Sequence, residues 1–592
     1  MKLLRHIPLC IACSFALIST ASAQDSAPAV APPQGLMPVD WMIIVLYAAS
    51  TLWLGWFIGR KQQSSREYFI GSGHIHPVLI GVSMFATLLS TISYLSMPGE
   101  ALGKGPGFMT SMLAYPVLFL IVGWWILPVY MNQRVTSAYE LLEAKLGGSV
   151  RLLGASMFIA LRLVWMALLV YLTAKAMSIM MGLDPKWVPA IALAAGFVAV
   201  IYTSIGGLQA VVITDCMQTV LLFGGALLVI GVITFDLGGF GWFPTQWDPN
   251  WDTQPLLPLA ADEDVALIEP GTAGESANAE STGTLADTEE TSEAKPKEDS
   301  ALEPVLSFIR RMGVDIGIRV TIFGSILNFL IWYVCTTGGD QTSVQRFMAT
   351  TDLSAARRAY AVQLVVATVV GVTLGIVGFA MLGYFSAHPE LIPAGMDIKD
   401  DADKFFPHFI AYHLPVGISG LVVSAMFAAA MSSIDSGVNS ITAVVMTDFV
   451  DRFRPEPLSE KQHMRLARYL AFAIGGFVVA TSSLMEHIPG NITSVTQKTS
   501  NLLTTPIFGL FFFALFVPFA TPVGVFAGAI AGTATAALIA FSGPIFGMDP
   551  ATGLDPISFQ WISPAAVIAN IAVGCLVSLA TGGSSSTRAK HA

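Results

Sequence analysis

Two adjacent hydroxyls and a carboxylate lie inside a long apolar run. The run extends from about residue 415 to 450 and contains Ser432, Ser433 and Asp435. Polar side chains at membrane depth are costly, and they commonly face a cavity or an ion path. Serine hydroxyls also join membrane helices by hydrogen bonds. Judged from residue types alone, an ion site and simple interhelical packing fit equally well.

Two other apolar segments are interrupted by polar residues and glycine. Residues 81–100 are crowded with Ser and Thr, and Pro98 with Gly99 weakens helix continuation further along. Residues 332–341 are again polar and glycine-rich. Transporters built from inverted repeats bind substrate and ions where the first helix of each repeat is interrupted. The two segments are therefore candidates for such breaks.

The composition indicates a membrane protein. Of 592 residues, 54% are hydrophobic and 12% are charged, against about 25% charged in soluble proteins. The net charge of −10 is concentrated in one place, since thirteen of the 40 acids lie between residues 262 and 303. That stretch predicts a solvated, disordered spacer. We expect the lipid bilayer as a partner and no nucleic acid.

The apolar runs predict an all-α polytopic membrane protein with about 13 transmembrane helices after a signal peptide. The predicted spans are 39–58, 77–102, 108–130, 152–181, 187–204, 209–236, 316–339, 360–386, 415–449, 469–485, 499–517, 522–542 and 560–580. A further short helix is predicted near residues 405–410, and it would lie on the membrane surface before the ninth span.

Two cues predict the same topology. Lys2 and Arg5 precede a short apolar stretch and small residues at 21–23, which is typical of a secretory signal peptide over 1–23. With the cleaved amino terminus outside, 16 of the 30 Lys and Arg residues, Arg346 among them, fall in inner connections. The expected location is the cell (inner) membrane, with a cytoplasmic carboxyl terminus.

Span counting divides the chain. The second interrupted segment lies five spans after the first, so 77–236 and 316–517 can form five-plus-five repeats, and an odd number per repeat makes them inverted. The remaining parts are 24–76, a first helix with its cytoplasmic link; 237–315, an extracytoplasmic acidic loop; and 518–592, two additional helices with a short tail. This arrangement favours a secondary transporter.

Four motifs carry a family resemblance. They are RVTSAYELLE at 134–143, YTSIGGLQAVVITDCMQ at 202–218, DQTSVQRF at 340–347 and AAMSS at 429–433. Because of these motifs, the chain resembles the sodium:solute symporter family over roughly residues 40–540. This family includes sodium–glucose, sodium–proline, sodium–iodide and sodium–monocarboxylate cotransporters. The resemblance implies a five-plus-five inverted repeat preceded by one helix. It also implies sodium as the coupling ion and no other cofactor.

The resemblance also implies a sodium site. Its ligands would be the backbone carbonyls of Ala86, Leu89 and Ala429 and the hydroxyls of Ser432 and Ser433. Uncharged oxygens suit a hard monovalent cation. With the resemblance, the sodium interpretation of the two serines is favoured over interhelical packing.

Several buried charged or polar residues keep more than one interpretation. Family members use the acid matching Asp215 in sodium binding or exit, and Gln218 lies one turn further on. A capping or gate-stabilising carboxylate is the alternative for Asp215. Asp435 can pair with a base or cap a gate. Lys175 can extend toward water or attract an anionic substrate, and Arg162 receives no role.

The substrate cavity is expected between the second, fourth, seventh and eleventh spans. Its candidate residues are Ser90, Thr91, Ser93, Trp165, Tyr171, Tyr333, Thr336 and Gln497. Sugar transporters of the family carry amide and carboxylate side chains where this chain has Leu88, Ile92 and Ser93, which argues against a sugar. The leading expectation is a small solute that is an organic anion, such as a monocarboxylate. A sugar or an amino acid is the alternative.

Other classes of protein fit the sequence less well. A channel would need a repeated filter motif or a ring of like residues, and none is evident. A transporter-like sensor or an enzyme would need an output domain or a catalytic constellation, and we find no nucleophile–base pair, histidine cluster or phosphate loop. Cys216, Cys335 and Cys575 all fall in apolar spans, so neither a disulfide framework nor a metal site is expected.

Overall fold

The structure is a computed structural model. It describes residues 36–60, 62, 64–71, 73–133, 135–181, 183–248, 251–252, 255–259, 302–487, 492–548 and 555–582. The predicted signal peptide and almost all of the acidic stretch lie outside these residues. Within them the fold is helical, and the extended pairing consists of one isolated bridge between Leu259 and Val314.

Among the described residues of the first half of the chain there are nine α-helices. They are α1 Pro38–Gly59, α2 Ser65–Ile70, α3 Pro77–Leu88, α4 Thr91–Lys104, α5 Tyr115–Ile121, α6 Leu127–Gln133, α7 Glu140–Leu146, α8 Gly148–Met180 and α9 Val188–Asp236. A 3₁₀ turn at Pro106–Ala114 and a π turn at Val122–Ile126 join α5 and α6 into one 28-residue span.

The described part of the second half contains twelve more α-helices. They are α10 Glu303–Arg311, α11 Ile322–Gly339, α12 Gln341–Met348, α13 Leu353–Ala387, α14 Ala402–Tyr412, α15 Ile418–Val444, α16 Asp451–Phe453, α17 Glu460–Thr481, α18 Ile492–Phe516, α19 Pro522–Ala540, α20 Ser542–Phe546 and α21 Ile562–Ala580. A π turn at Val445–Val450 links α15 to α16.

The predicted all-α polytopic class is confirmed. Among the described residues, eleven helices are long and apolar enough to cross a membrane, or twelve when one bent pair counts as a span. α9 has 49 residues, about 74 Å at 1.5 Å per residue, which is more than twice the bilayer core. Gly207 interrupts it with φ +56°, between the predicted spans 187–204 and 209–236. The total of thirteen depends on dividing this helix and stays a prediction.

The first interrupted segment is a broken helix. α3 ends at Leu88 and α4 begins at Thr91, with a bend of 70° between them. Leu89 and Ser90 are extended, and the Ser90 hydroxyl accepts the first-turn amide of Ser93. Pro98 lies inside α4, so the break comes earlier than the sequence signal of Pro98 and Gly99.

The second interrupted segment is broken as well. α11 and α12 meet at Asp340, whose backbone is extended and whose carboxylate accepts the amide of Thr342. The predicted start of this span at 316 is wrong, because α11 begins at Ile322.

The helix predicted to lie on the membrane surface is instead buried in the protein. α14 buries Phe405, Phe406, Phe409 and Ile410 completely. Gly103 of α4 allows this, since a Cβ there would come within 2.7 Å of Ala402 Cβ. The apolar face of α14 is therefore covered by protein.

The predicted loop 237–315 is structured at both described ends. Trp251 is buried and its indole donates to the carbonyl of Leu102 at the end of α4. At the other end α10 folds, and Val314 pairs with Leu259. Aromatic burial and backbone pairing fix these ends, whereas almost all of the stretch predicted to be a spacer lies outside the described residues.

Candidate functional site

The hydroxyls of α15 contact the broken end of α3. Ser432 Oγ donates to the carbonyl of Ala86 at 2.6 Å, and Ser433 Oγ donates to the carbonyl of Thr87 at 3.4 Å. All four residues are buried. Of the two serines, Ser432 contacts the predicted carbonyl of Ala86, while the carbonyl that faces Ser433 is that of Thr87.

The break explains why these carbonyls are available. In a continuous helix they would accept amides four residues later, and the last turn of a helix leaves them without such partners. Leu89, which directly follows α3, and Ala429, one turn before Ser432 on α15, are both buried. Uncharged oxygens thus concentrate where α3 meets α15.

A buried ionic cluster lies beside these contacts. Arg346 of α12 donates to Asp215 of α9 at 3.2 Å, to Ser83 of α3 at 2.9 Å and to Ser436 of α15 at 2.5 Å. Ser83 also donates to Asp215 at 2.5 Å. Arg346, which the sequence analysis places in an inner connection, has a side chain that is 1% exposed and is held by an internal carboxylate.

Asp435 extends the same cluster. It accepts hydrogen bonds from the hydroxyls of Tyr202 and Ser436, and it is fully buried. Arg346 therefore pairs directly with Asp215, and Ser436 links it to Asp435. Asp215 Oδ1 has no hydrogen-bond partner among the described residues, and Gln218, one turn further on, is also fully buried.

The second break is closed by a different set of groups. Arg162 of α8 pairs with Asp340, and both side chains are less than 10% exposed. Tyr130 donates to the carbonyl of Gly338 at 2.6 Å, and Tyr139 donates to that of Gly339 at 3.2 Å. Arg162 Nε is buried without a hydrogen-bond partner in the part of the chain that the structure describes.

The substrate candidates on α4 divide into two groups. Thr91 is completely buried and donates to the carbonyl of Met426 on α15, and Ser90 caps α4. Ser93 is half-buried. Thr91 and Ser90 thus have structural partners already, which leaves Ser93 as the more accessible hydroxyl.

The aromatic candidates lie on two helices. Tyr333 of α11 packs edge-on against Tyr115, and Thr336, one turn on, is buried with its hydroxyl unpartnered among the described residues. On α8 the ring of Tyr171 is 6.0 Å from the Lys175 ammonium, and Trp165 is half-buried. Gln497 belongs to α18, and its side chain lies outside the described structure.

A further polar network joins α7 to the end of α15. Asp448 accepts hydrogen bonds from Ser137 at 2.5 Å and from Arg151 at 2.6 Å. Glu143 of α7 accepts hydrogen bonds from both Arg151 and Arg452 at 2.7 Å. Hydrogen bonds from Arg452 and Arg151 hold the pKa of Glu143 below its usual value. The network ties the RVTSAYELLE motif to the helix that carries Ser432 and Ser433.

The sequence pattern did not identify Ser83, Tyr202, Arg162 or Arg346 as site residues. An arginine inside an apolar span is itself a signal, since membrane-buried charges are paired. The position of Arg162 in an apolar span indicated that it has a partner, but only the fold identifies that partner as Asp340.

The family model for the sodium:solute symporter family matches residues 68–253 and 266–532. The chain belongs to the sodium:solute symporter family. The sodium/sialic acid symporter SiaT of Proteus mirabilis is 27% identical over 493 residues, 81% of this chain and 85% of that protein. The sodium-dependent multivitamin transporter of Oryctolagus cuniculus is 25% identical, covering 96% of this chain and 87% of its own length.

The fold is shared with a solved family structure. A structure described as the substrate-bound outward-open state of a sodium-coupled sialic acid symporter superposes with a TM-score of 0.69 at 23% identity. The match covers 92% of this chain and 98% of that one. Membership of the family makes the chain a multi-pass, sodium-coupled symporter of a small solute.

Proposed function

We propose that this symporter imports a small organic anion by alternating access, driven by sodium bound where α3 meets α15. The observation that carries the proposal is the contact of Ser432 and Ser433 with carbonyls of the broken helix. It would work in the cell (inner) membrane, with its processed amino terminus outside.

The proposed ligands of sodium are the carbonyls of Ala86, Leu89 and Ala429 with the hydroxyls of Ser432 and Ser433. When the ion binds, the two hydroxyls would turn their lone pairs toward it and give up their bonds to α3. The ion would then replace two hydrogen bonds as the link between α3 and α15. Sodium would thereby favour one arrangement of the two helices over the other.

Asp215 and Gln218 are proposed to lie on the path by which sodium leaves. The carboxylate already has Arg346 and Ser83 as partners, and one of its oxygens lacks a hydrogen-bond partner among the described residues. An ion passing Asp215 would meet a negative oxygen without having to break the pair with Arg346.

The proposed substrate is an organic acid. Arg162 supports this, since its guanidinium is buried beside the second break and its Nε lacks a hydrogen-bond partner in the described structure. A carboxylate could accept from that Nε. A relative that is named for sialic acid, itself an acid, points the same way. The proposed cavity is lined by Ser90, Thr91, Ser93, Trp165, Tyr171, Tyr333, Thr336 and Gln497.

Sodium and substrate transport are coupled because both ligands bind to the same conformational state of the symporter. If sodium orders the broken helix and so raises substrate affinity, substrate must raise sodium affinity by the same factor. Each inward sodium gains about 2.3 kcal/mol per 100 mV of membrane potential. One ion can therefore drive a substantial solute gradient.

The test measures sodium dependence of Ser433→Ala. We expect uptake, and thermal stabilisation by sodium against choline, to require at least about ten times more sodium, because one ligand oxygen is lost. The matched control is Ser424→Ala, another buried α15 hydroxyl, which bonds to the carbonyl of Gly420 away from the break. Unchanged uptake at low sodium in Ser433→Ala would show that the ion binds elsewhere.

The substrate class is tested by a thermal-stability screen in sodium. Monocarboxylates and larger organic acids should stabilise the protein and sugars should not, and Arg162→Lys should weaken the stabilisation by acids. Stabilisation by sugars or neutral amino acids alone would contradict the anion assignment while leaving the sodium site in place.

A further inference from the structure

An amphipathic helix outside the membrane spans has an uncovered apolar stripe. α10 carries Val305 and Phe308, and Met312 is its C-cap residue; the three are 51%, 62% and 68% exposed. Their spacing of three and four residues places them on one helical face. Leu306, on another face of α10, is buried. The helix therefore has one apolar contact with the protein and a second apolar face left open.

The segment paired with α10 adds to this surface. Leu256, Leu257 and Leu259 are 65%, 41% and 60% exposed. Leu259 pairs with Val314 just after α10, and the carbonyl of Pro258 accepts the amide of Asp315 at 2.8 Å. Six large apolar side chains thus project from two hydrogen-bonded segments.

Hydrogen bonds hold this surface next to the first residues of two membrane spans. The amide of Phe323, in the first turn of span α11, donates to the carbonyl of Leu256 at 3.0 Å. The link from α10 to α11 is also bonded to the start of the last span, since Ser558 N donates to Ile316 O at 3.0 Å. Gln560 Nε2 donates to Ile318 O at 2.9 Å. The surface lies where two spans begin, which is the boundary between water and lipid.

Charge complements this position. Arg310 and Arg311 form the last turn of α10, and Arg311 is exposed. Amphipathic helices with basic residues beside an apolar face lie in the headgroup region, with that face toward the acyl chains. The adjoining stretch 262–301 contains twelve acids and only four large apolar residues, so its composition does not suit it to cover an apolar stripe.

We infer that α10 and residues 255–259 bind the surface of the surrounding bilayer, with Phe308 inserted among the outer acyl chains and Arg311 at lipid phosphates. In this interpretation α10, and not α14, is the helix that lies at the membrane interface. It would anchor the segment that connects the two repeats.

The test uses a nitroxide label on Phe308→Cys in the full-length protein, with its five native cysteines replaced by alanine and reconstituted in phosphatidylglycerol-containing liposomes. Collision rates with oxygen and with a water-soluble nickel chelate report depth. Leu576→Cys, an exposed apolar position of the last span, provides the lipid control, and Glu390→Cys in a connection provides the water control.

We expect the label at 308 to favour oxygen over nickel several-fold, at a shallower depth than the label at 576. Arg311→Gln should make the label shallower in anionic liposomes and change its depth less in phosphatidylcholine, whose headgroup has a phosphate but no net charge. Nickel accessibility equal to that at position 390 would overturn the inference.

Two other occupants would also overturn it, and each has its own signature. Spin–spin broadening that disappears on mixing with unlabelled protein would mean that a second copy covers the stripe. Low accessibility to both reagents that rises on deletion of residues 262–299 would mean that the acidic stretch covers it.

Discussion

The two helix breaks are closed by groups of opposite kinds. At the first break, between α3 and α4, neutral hydroxyls of α15 bond to backbone carbonyls. At the second, between α11 and α12, a buried arginine neutralises Asp340 and two tyrosines hold Gly338 and Gly339. The first set can exchange a hydrogen bond for an ion without uncovering charge, whereas opening the second would separate a buried ion pair.

This difference suggests a division of labour. Removing one partner of a buried pair leaves an uncompensated charge, so the second break is expected to be rigid. Interhelical hydrogen bonds in membranes average about 0.6 kcal/mol, which makes the contacts of Ser432 and Ser433 easy to exchange. We therefore expect the second break to contribute mainly stability and the first to respond to sodium.

The largest expected effect comes from Arg162→Met. It leaves Asp340 buried without its cation and should lower the free energy of unfolding by about 3 to 5 kcal/mol. Thermal unfolding in detergent measures this. The double variant Arg162→Met with Asp340→Asn removes both charges and keeps the cap on α12, because Asn caps as well as Asp. It should regain most of the loss, and a double variant as unstable as the single one would contradict a closed pair.

The sequence predicted the local features of each break better than the long-range contacts that close it. Both interruptions were visible as glycine and hydroxyl clusters, because a broken helix needs local signals. The partner of Ser432 could be placed through the family motifs. The pairing of Arg162 with Asp340 could not, since it joins residues 178 positions apart whose spacing carries no periodicity.

Burial was the other source of error. Arg346 follows a polar motif and was expected in an inner connection, and only the fold shows that Asp215, Ser83 and Ser436 surround it in the interior. The apolar residues of α14 and α10 look alike in sequence, and only tertiary packing covers the first and leaves the second exposed. Which amphipathic face is covered depends on neighbours far along the chain.

A middle-sized effect is expected from Tyr139→Phe. The variant leaves the buried carbonyl of Gly339 without the tyrosine donor and should cost about 1 to 2 kcal/mol of stability. Sodium dependence of uptake should not change, since α3 and α15 are untouched. Tyr130→Phe, which removes the donor to Gly338, is the matched partner variant. A shift in sodium affinity without a loss of stability would reverse the roles assigned to the two breaks.

The smallest expected effect lies at the first break, where Ser90 caps α4. Ser90→Ala removes the acceptor for the amide of Ser93 and should cost about 1 kcal/mol or less. Ser90→Asn restores a capping oxygen and should regain that stability. Uptake measurements then distinguish a capping role of Ser90 from a contact with the substrate. If the Ser90 hydroxyl binds the solute, Ser90→Asn should be stable but should have a lower affinity for the substrate. Full uptake by Ser90→Asn would assign Ser90 to the helix break alone and leave Ser93 as the hydroxyl of α4 that faces the solute.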